Sequence, residues 1–296
     1  MTQKKIIVGI GELLWDIYRD ERYIGGAPAN VALTAHELGN QGIIISRVGQ
    51  DGMGDELIRS VASRGLVTDY IQQDKRKGTA SVFVSLDVHG VPRFHCSDDV
   101  AFDYLEFTPQ MQTLAEQADA VVFGTLGQRM PTARETIQRF LKSAKGLRIY
   151  DVNARMEGRE IEPVYIASLK LADILRLNEP ELELLKKAHD KAGEKAIVFI
   201  EFLLAHYGLR MVIVTFDKNG AQLFTPDTTC STPGIAVDSV DSTGAGDAFT
   251  AGFVHLYLQD KPLQECLTFA NELAAYVCTQ RGAAPALPAE WSRREK

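Results

Sequence analysis

Cysteine is scarce in this chain of 296 residues: Cys96, Cys230, Cys266 and Cys278 are the four present. They show no CxxC spacing and no dense framework, which excludes a disulfide-stapled scaffold and leaves free thiols in a reducing compartment as the expectation. Long apolar runs are missing too. None approaches the ~18 residues that a membrane-spanning helix needs. The Met1–Lys5 start leads straight into Ile6-Ile7-Val8 with no signal-peptide pattern, so a cytoplasmic protein working without a membrane is expected. Positive charge is in deficit. A net charge of −7 argues against a broad nucleic-acid surface, which needs clustered Lys and Arg. It leaves room for one small anion held by backbone amides. No GxxxxGK[ST] string occurs, so a Walker-type phosphate loop is excluded. Gly9-Ile10-Gly11 opens like a dinucleotide fingerprint, but Leu14 stands where the third glycine belongs and the match fails.

What is present is a hydrophobic fraction of 45%, enough for one large domain, and residues 1–296 are read as a single α/β unit. Ile6–Ile10, Ile43–Ile45, Ala120–Phe123, Arg148–Tyr150, Ile174–Leu177 and Met211–Val214 are short apolar runs that look like buried strands. Stretches with helical spacing separate many of them, such as Leu57/Val61 and Ile137/Leu141. The alternation predicts a mostly parallel sheet with helices on both faces. Ligands gather beyond the carboxyl ends of such strands. Just past those ends lie Gly49, Asp51, Gly124, Asp151, Asn153, Asn178, Glu181 and Thr215. Thr79–Cys96 alternates apolar and polar residues around His89-Gly90, as a β-hairpin does. With Leu13–Ile24 it is expected to form a small antiparallel sheet, a lid built from about residues 13–25 and 78–104.

The most informative string is Asp241-Ser242-Thr243-Gly244-Ala245-Gly246-Asp247-Ala248-Phe249. From Ala245 onward, Ala248, Phe249, Gly252, Phe253 and Leu256 share one helical face, so the glycines sit at a helix start. First-turn amides without an intrahelical acceptor, together with the helix dipole, make an anion site. A carboxylate at Asp247 is repelled by a phosphate bound there. It makes chemical sense as a base that takes the proton of an incoming hydroxyl while the amides hold charge on a transferred phosphoryl group. The alternative is a helix-start carboxylate that only complements the dipole.

That string, with Gly25-Gly26-Ala27-Pro28-Ala29-Asn30-Val31-Ala32 and the following Gly39 and Gly49, resembles the two signatures of the ribokinase-like (PfkB-type) carbohydrate kinases, bacterial fructokinases in particular. The resemblance spans essentially the whole chain. It implies an α/β ribokinase-like fold with a β lid, and an ATP-dependent kinase that phosphorylates a hydroxyl of a small sugar, with Mg²⁺ as cofactor. Asp247 is implied as the catalytic base, and Gly244, Ala245 and Gly246 as the phosphoryl-binding turn. Asp16, Gly26 and Asn30 match the sugar-binding positions, and Arg155 in Asp151-Val152-Asn153-Ala154-Arg155 is placed to meet phosphate or sugar. Asn178 and Glu181, in an Asn-x-x-Glu motif, are implied to act on the Mg²⁺–phosphate assembly through water; as plain structure they read as a capped helix start. Thr215 and Gly220 match the nucleotide-binding turn, where Asp217 replaces a usual glycine, and Lys218-Asn219-Gly220 alone reads as a hairpin turn. Asn271 matches a position lining the adenine pocket, on a helix expected to begin at Pro262. A monovalent cation, K⁺, is implied at Asp241, Thr243, Val277, Gln280, Gly282 and Ala286, although Ala286 lacks the hydroxyl some relatives supply. A homodimer through the lid edge is a further expectation. Fructokinases commonly carry an arginine after the lid's aromatic strand, and Phe94–Asp99 has none. A ribokinase, a nucleoside kinase, or a catalytically silent sensor on this fold are the competing readings.

Overall fold

In a computed structural model, residues 4–18, 21–86, 92–154 and 162–293 are described. In chain order the first strands are β1 (Ile6–Ile10), β2 (Leu14–Tyr18), β3 (Glu21–Gly25), β4 (Gln41–Gly49), β5 (Ile71–Asp74), β6 (Ser81–Leu86) and β7 (Pro92–Cys96). They are followed by β8 (Ala120–Phe123), β9 (Leu147–Asp151), β10 (Ile174–Asn178), β11 (Met211–Thr215), β12 (Gly220–Phe224) and β13 (Thr229–Pro233). The helices are α1 (Ala27–Glu37), α2 (Gly52–Ser63), α3 (Pro109–Gln117), α4 (Pro131–Ser143) and α5 (Glu162–Leu169). After these come α6 (Glu179–Ala188), α7 (Ala196–Tyr207), α8 (Ala245–Tyr257) and α9 (Leu263–Cys278).

Among the described residues a nine-stranded sheet runs β13-β12-β11-β10-β9-β8-β1-β4-β5. Its strands from β11 to β5 pair in parallel, and β12 and β13 close one edge antiparallel. All six apolar runs became strands here because a run buried on both faces has no polar side to show. Side chains alternate between two cores. Val8, Ile10, Val121, Phe123, Leu175, Leu177 and Val212 pack with Ile137 and Phe140 of α4, Leu182 of α6 and Phe199 of α7. Ile7, Val122, Ile149, Ile174 and Ile213 face Phe249 and Phe253 of α8 and Leu267 and Leu273 of α9. α1 lies hard against β1: a Cβ at Gly9 would sit 1.9 Å from the Pro28 carbonyl oxygen, so only glycine fits there.

The small sheet has the order β3-β2-β6-β7. Its two hairpins are antiparallel as anticipated, but β2 and β6 join them in parallel, with Trp15 opposite Ser81 and Ile17 opposite Phe83. The chain leaves β3, passes through α1, β4, α2 and β5, and returns in the same sense; a crossover of that length permits a parallel pair. The hairpin tip at His89-Gly90 lies outside the described residues. Asp51 caps α2 by accepting from the Gly54 N–H at 2.8 Å, and also accepts from the Thr79 N–H and hydroxyl, so Gly49–Gly54 is a structural turn. The four cysteines are free thiols, and no described helix is long and apolar enough to cross a membrane.

Candidate active site

The parallel strands bring Glu12, Thr125, Asp151, Asn178 and Thr215 to one end of the sheet, and α8 starts beside them. Gly244 caps α8 in the left-handed region at φ 79° and has no side chain to cap with. A Cβ there would lie 1.9 Å from the Ala283 carbonyl oxygen, so the turn and the 282–284 segment touch backbone to backbone. The Ala245 N–H turns back to the Ser242 carbonyl at 3.3 Å. The amides of Gly246 and Asp247 remain in the first turn, where no intrahelical acceptor exists.

Asp247 is buried in that turn. Its Oδ2 accepts a hydrogen bond from Asn30 Nδ2 at 2.8 Å. Asn30 is in the first turn of α1, whose N-cap, Gly26, has φ 104°. The two glycine-rich signatures, far apart in sequence, are thus joined at Asp247. Asp16 is buried on β2, and its carboxylate packs so closely on Gly25 that a Cβ there would lie 2.3 Å from Oδ2. Tyr18, at the end of β2, shares a 2.8 Å hydrogen bond with the Thr243 hydroxyl, and Tyr23 of β3 packs on Gly282. The small sheet therefore rests on both sides of the turn that precedes α8.

A second cluster lies on the other side of α8. Arg176 projects from the middle of β10, and its guanidinium lies against Gly246: a Cβ there would be 2.8 Å from both terminal nitrogens. It donates to Asp151 Oδ1 and to the Thr215 hydroxyl, each at 3.1 Å. Asp151 Oδ2 accepts from the Thr250 hydroxyl of α8 at 2.7 Å. Burial pulls the Arg176 pKa down, but Asp151 and Glu181 outweigh it and hold the cation firmly charged. Asn178 and Glu181 form a full capping box at α6, Asn178 Oδ1 accepting from the Glu181 N–H and Glu181 Oε2 from the Asn178 N–H, both at 2.8 Å. Glu181 Oε1 accepts from the Ala154 N–H at 2.9 Å. Burial raises the pKa of Glu181, against the pull of Arg176. No group of three or more His, Cys, Asp or Glu among the described residues could hold a metal by itself. Glu181, with each oxygen already accepting an amide, fits an ion that keeps its own waters and leans on phosphates.

Asp241 closes the loop before α8. Its Oδ1 accepts from the Thr243 N–H at 2.9 Å and its Oδ2 from the Gly282 N–H at 3.2 Å. The Val240 and Asp241 amides both turn to the Cys278 carbonyl, and the Val277 carbonyl accepts from Gln280. Asp241 and Thr243 on one loop therefore meet Gln280 and Gly282 on another, with Val277 in the last turn of α9 just before them, and Ala286 lies further along the second loop with no side-chain oxygen to add. Thr215 ends β11. The turn after it is a short 3₁₀ segment, Asp217–Asn219, with Asp217 at φ 49°, a backbone conformation that favours glycine. Gly220 opens β12 at φ 97°. Asn271 sits on α9, which begins at Leu263 with Pro262 as its cap rather than its first helical residue, and donates to the Pro233 carbonyl at 2.9 Å. Exposed Ile235, Val237 and Val240 follow Pro233 and lie on the chain leading into Asp241. Arg155 lies outside the described residues.

Two ionisable residues next to this site escaped the sequence reading. Arg176, whose side chain is 11% exposed, is one. Glu12, just past β1, is the other, 2% exposed, with Oε1 accepting from the Ala27 N–H at 3.2 Å. Each is an ionisable residue inside an otherwise apolar run, Ile174–Leu177 and Ile6–Trp15, and that interruption was the available signal.

Over residues 8–290 the sequence matches the pfkB family carbohydrate kinases. This chain belongs to that family. Among similar proteins, a Pyrococcus horikoshii protein named as a putative sugar kinase is 33% identical, covering 94% of this chain and 91% of its own. A rice protein named fructokinase-2 is 29% identical over 97% of this chain and 92% of its own. In solved structures, a Xylella fastidiosa fructokinase with bound ATP superposes with a TM-score of 0.86 at 25% identity, covering 98% of this kinase and 97% of that chain. The fold of this kinase is therefore ribokinase-like α/β, and its activity is that of a carbohydrate kinase, a phosphotransferase acting on an alcohol group.

Proposed function

We propose that this kinase transfers the γ-phosphate of ATP to a hydroxyl of a small sugar, with fructose the leading candidate, and that Asp247 is the base. The observation that carries this reading is the buried Asn30–Asp247 hydrogen bond at the start of α8, beside the first-turn amides. Asp247 takes the proton from the acceptor hydroxyl as its oxygen bonds to the γ-phosphorus and the bridge to the β-phosphate breaks. The Gly246 and Asp247 amides hold charge on the moving phosphoryl oxygens, and Arg176 adds a fixed cation behind them. Mg²⁺, reached by Glu181 through water, would neutralise the phosphates. Thr215, Gly220 and Asn271 border the nucleotide side, where Ile235, Val237 and Val240 offer an apolar wall for the base. The small sheet closes over the sugar as a lid, and its β3 and β7 edges suit a second copy of the chain.

The fructose assignment leans on relatives named fructokinase. ADP release measured across ketoses, aldoses and nucleosides tests it. The expected result is a kcat/KM at least tenfold higher for fructose than for the others. A preference for a nucleoside would replace the acceptor, and silence with every acceptor would end the kinase reading for this chain.

Two further outcomes are expected. Asp16→Ala should raise the sugar KM while leaving the ATP KM nearly unchanged, because a charge-assisted hydrogen bond of about 1.5–3 kcal/mol is lost on the sugar side alone. Equal rises in both constants would remove Asp16 from the sugar site. K⁺ held near Asp241 would stiffen the Asp241–Gly244 turn that feeds the phosphoryl-binding amides. Replacing K⁺ with tetramethylammonium should therefore lower kcat, and indifference to the exchange would remove the cation from the account.

A further inference from the structure

Glu12 has no part in the chemistry above, yet it is a fully buried carboxyl behind the catalytic pair. Its Oε1 holds the Ala27 N–H, the first amide of α1. Among the described residues its Oε2 is buried with no hydrogen-bond partner. Glycines enclose it: a Cβ at Gly26 would lie 2.3 Å from the Glu12 carbonyl oxygen, and one at Gly127 would lie 3.2 Å from Oε2. α1 carries Asn30 one turn beyond Ala27, and Asn30 holds Asp247. The chain of contacts is Glu12 to the α1 start, the α1 start to Asn30, and Asn30 to Asp247.

We propose that Glu12 is a positioning residue for Asp247, fixing the α1 start as a neutral carboxylic acid, and that loss of its proton impairs phosphoryl transfer. An ionised carboxylate with an unpartnered buried oxygen is costly, whereas the neutral acid has no charge to desolvate. The charged groups that act on it are Asp247 of α8, Arg129 after the 126–128 turn, and the Cys96 thiol beside Arg129. Arg129 does not neutralise it, because its guanidinium is committed to Asp103 at 2.6 and 2.8 Å and to the Ser97 carbonyl. Burial, with Asp247 adding to it, pushes the Glu12 pKa up to about 7. A carboxyl shifted upward in the fold stabilises it at low pH and loses that contribution as pH rises from its unfolded value through about 7. A second anion formed beside Asp247 would also oppose the incoming phosphates.

The inference concerns the same site and rests on the kinase reading, so the test has one arm that needs no substrate. Glu12→Gln keeps the acceptor for Ala27 and cannot ionise. Its melting temperature relative to wild type should rise between pH 5.5 and pH 8.5, and a difference independent of pH would overturn the proposal whether or not any sugar is turned over. In the second arm, the ratio of variant to wild-type kcat/KM for the sugar should climb over the same range. A flat ratio would overturn the link to Asp247. Glu12→Ala leaves the Ala27 N–H unpaired and should lower kcat on the order of tenfold or more at pH 6, while Glu12→Gln stays within about threefold. Equal losses in the two variants would contradict the positioning role. Should Glu12→Ala fail to fold, the two Glu12→Gln comparisons decide.

Discussion

Asp247→Asn should lower kcat by about 10²–10⁴ while both ATP and sugar still bind, because the proton acceptor is removed and little else changes. The amide keeps the shape of the side chain and still offers an oxygen to Asn30 Nδ2, which donates to Oδ2 at 2.8 Å in the native protein. The α8 start and its first-turn amides are therefore retained. With one fewer negative charge beside the phosphates, ATP should bind no more weakly than before. If Asp247 served only to complement the helix dipole, the variant would lose roughly 0.3–1 kcal/mol of stability and keep its activity. Measuring kcat, ATP affinity and melting temperature on this one variant separates the two roles. Turnover within about tenfold of wild type would remove Asp247 as the base.

Arg176→Met should be nearly as damaging, for a different reason. Arg176 is the cation shared by Asp151 and Glu181, and both carboxylates are buried. Methionine fills much of the space but leaves Asp151 with the Thr250 hydroxyl as its remaining named donor. Breaking a buried ion pair from one side typically costs about 3–5 kcal/mol. The sign of its pH dependence follows from Glu181, whose pKa burial raises and Arg176 pulls back down. Without the guanidinium that pKa rises further, the folded state takes up a proton that the unfolded state does not, and stability returns as pH falls toward 5. Chemical denaturation at pH 5 and pH 8 measures this, and a loss equal at both values would show that the pairing is not electrostatic. Steady-state kinetics on the folded fraction should show a lower kcat, since the guanidinium sits against Gly246 in the turn proposed to bind the phosphoryl group.

Much of the large sheet could be read from the sequence because strands buried on both faces are continuous apolar runs. Ile6–Ile10 and Met211–Thr215 are of that kind, and both are strands. The edge strands could not be read that way. β5, Ile-Gln-Gln-Asp, and β13, Thr-Cys-Ser-Thr-Pro, are polar, and their pairing is decided by neighbours that a linear pattern does not contain. The parallel join of β2 to β6 was likewise hidden, because it depends on where the chain travels between them. At the site, the glycines and Asp247 were visible since a helix start with small residues has a local signature. The Asn30–Asp247 bond was not, although both residues stood out singly, because Asn30 read as a sugar ligand on α1 and nothing local ties α1 to α8. Arg176 and Glu12 are meaningful only once the sheet places them under α8 and behind α1.

If the α8 start moves a phosphoryl group from ATP to a sugar hydroxyl, phosphorus NMR of the protein with ATP, Mg²⁺ and fructose reads it in one spectrum series. A sugar-phosphate monoester resonance should grow one for one with ADP and be lost with Asp247→Asn. Growth of inorganic phosphate in place of the monoester, or ATP that persists with fructose and every other sugar tried, would contradict it.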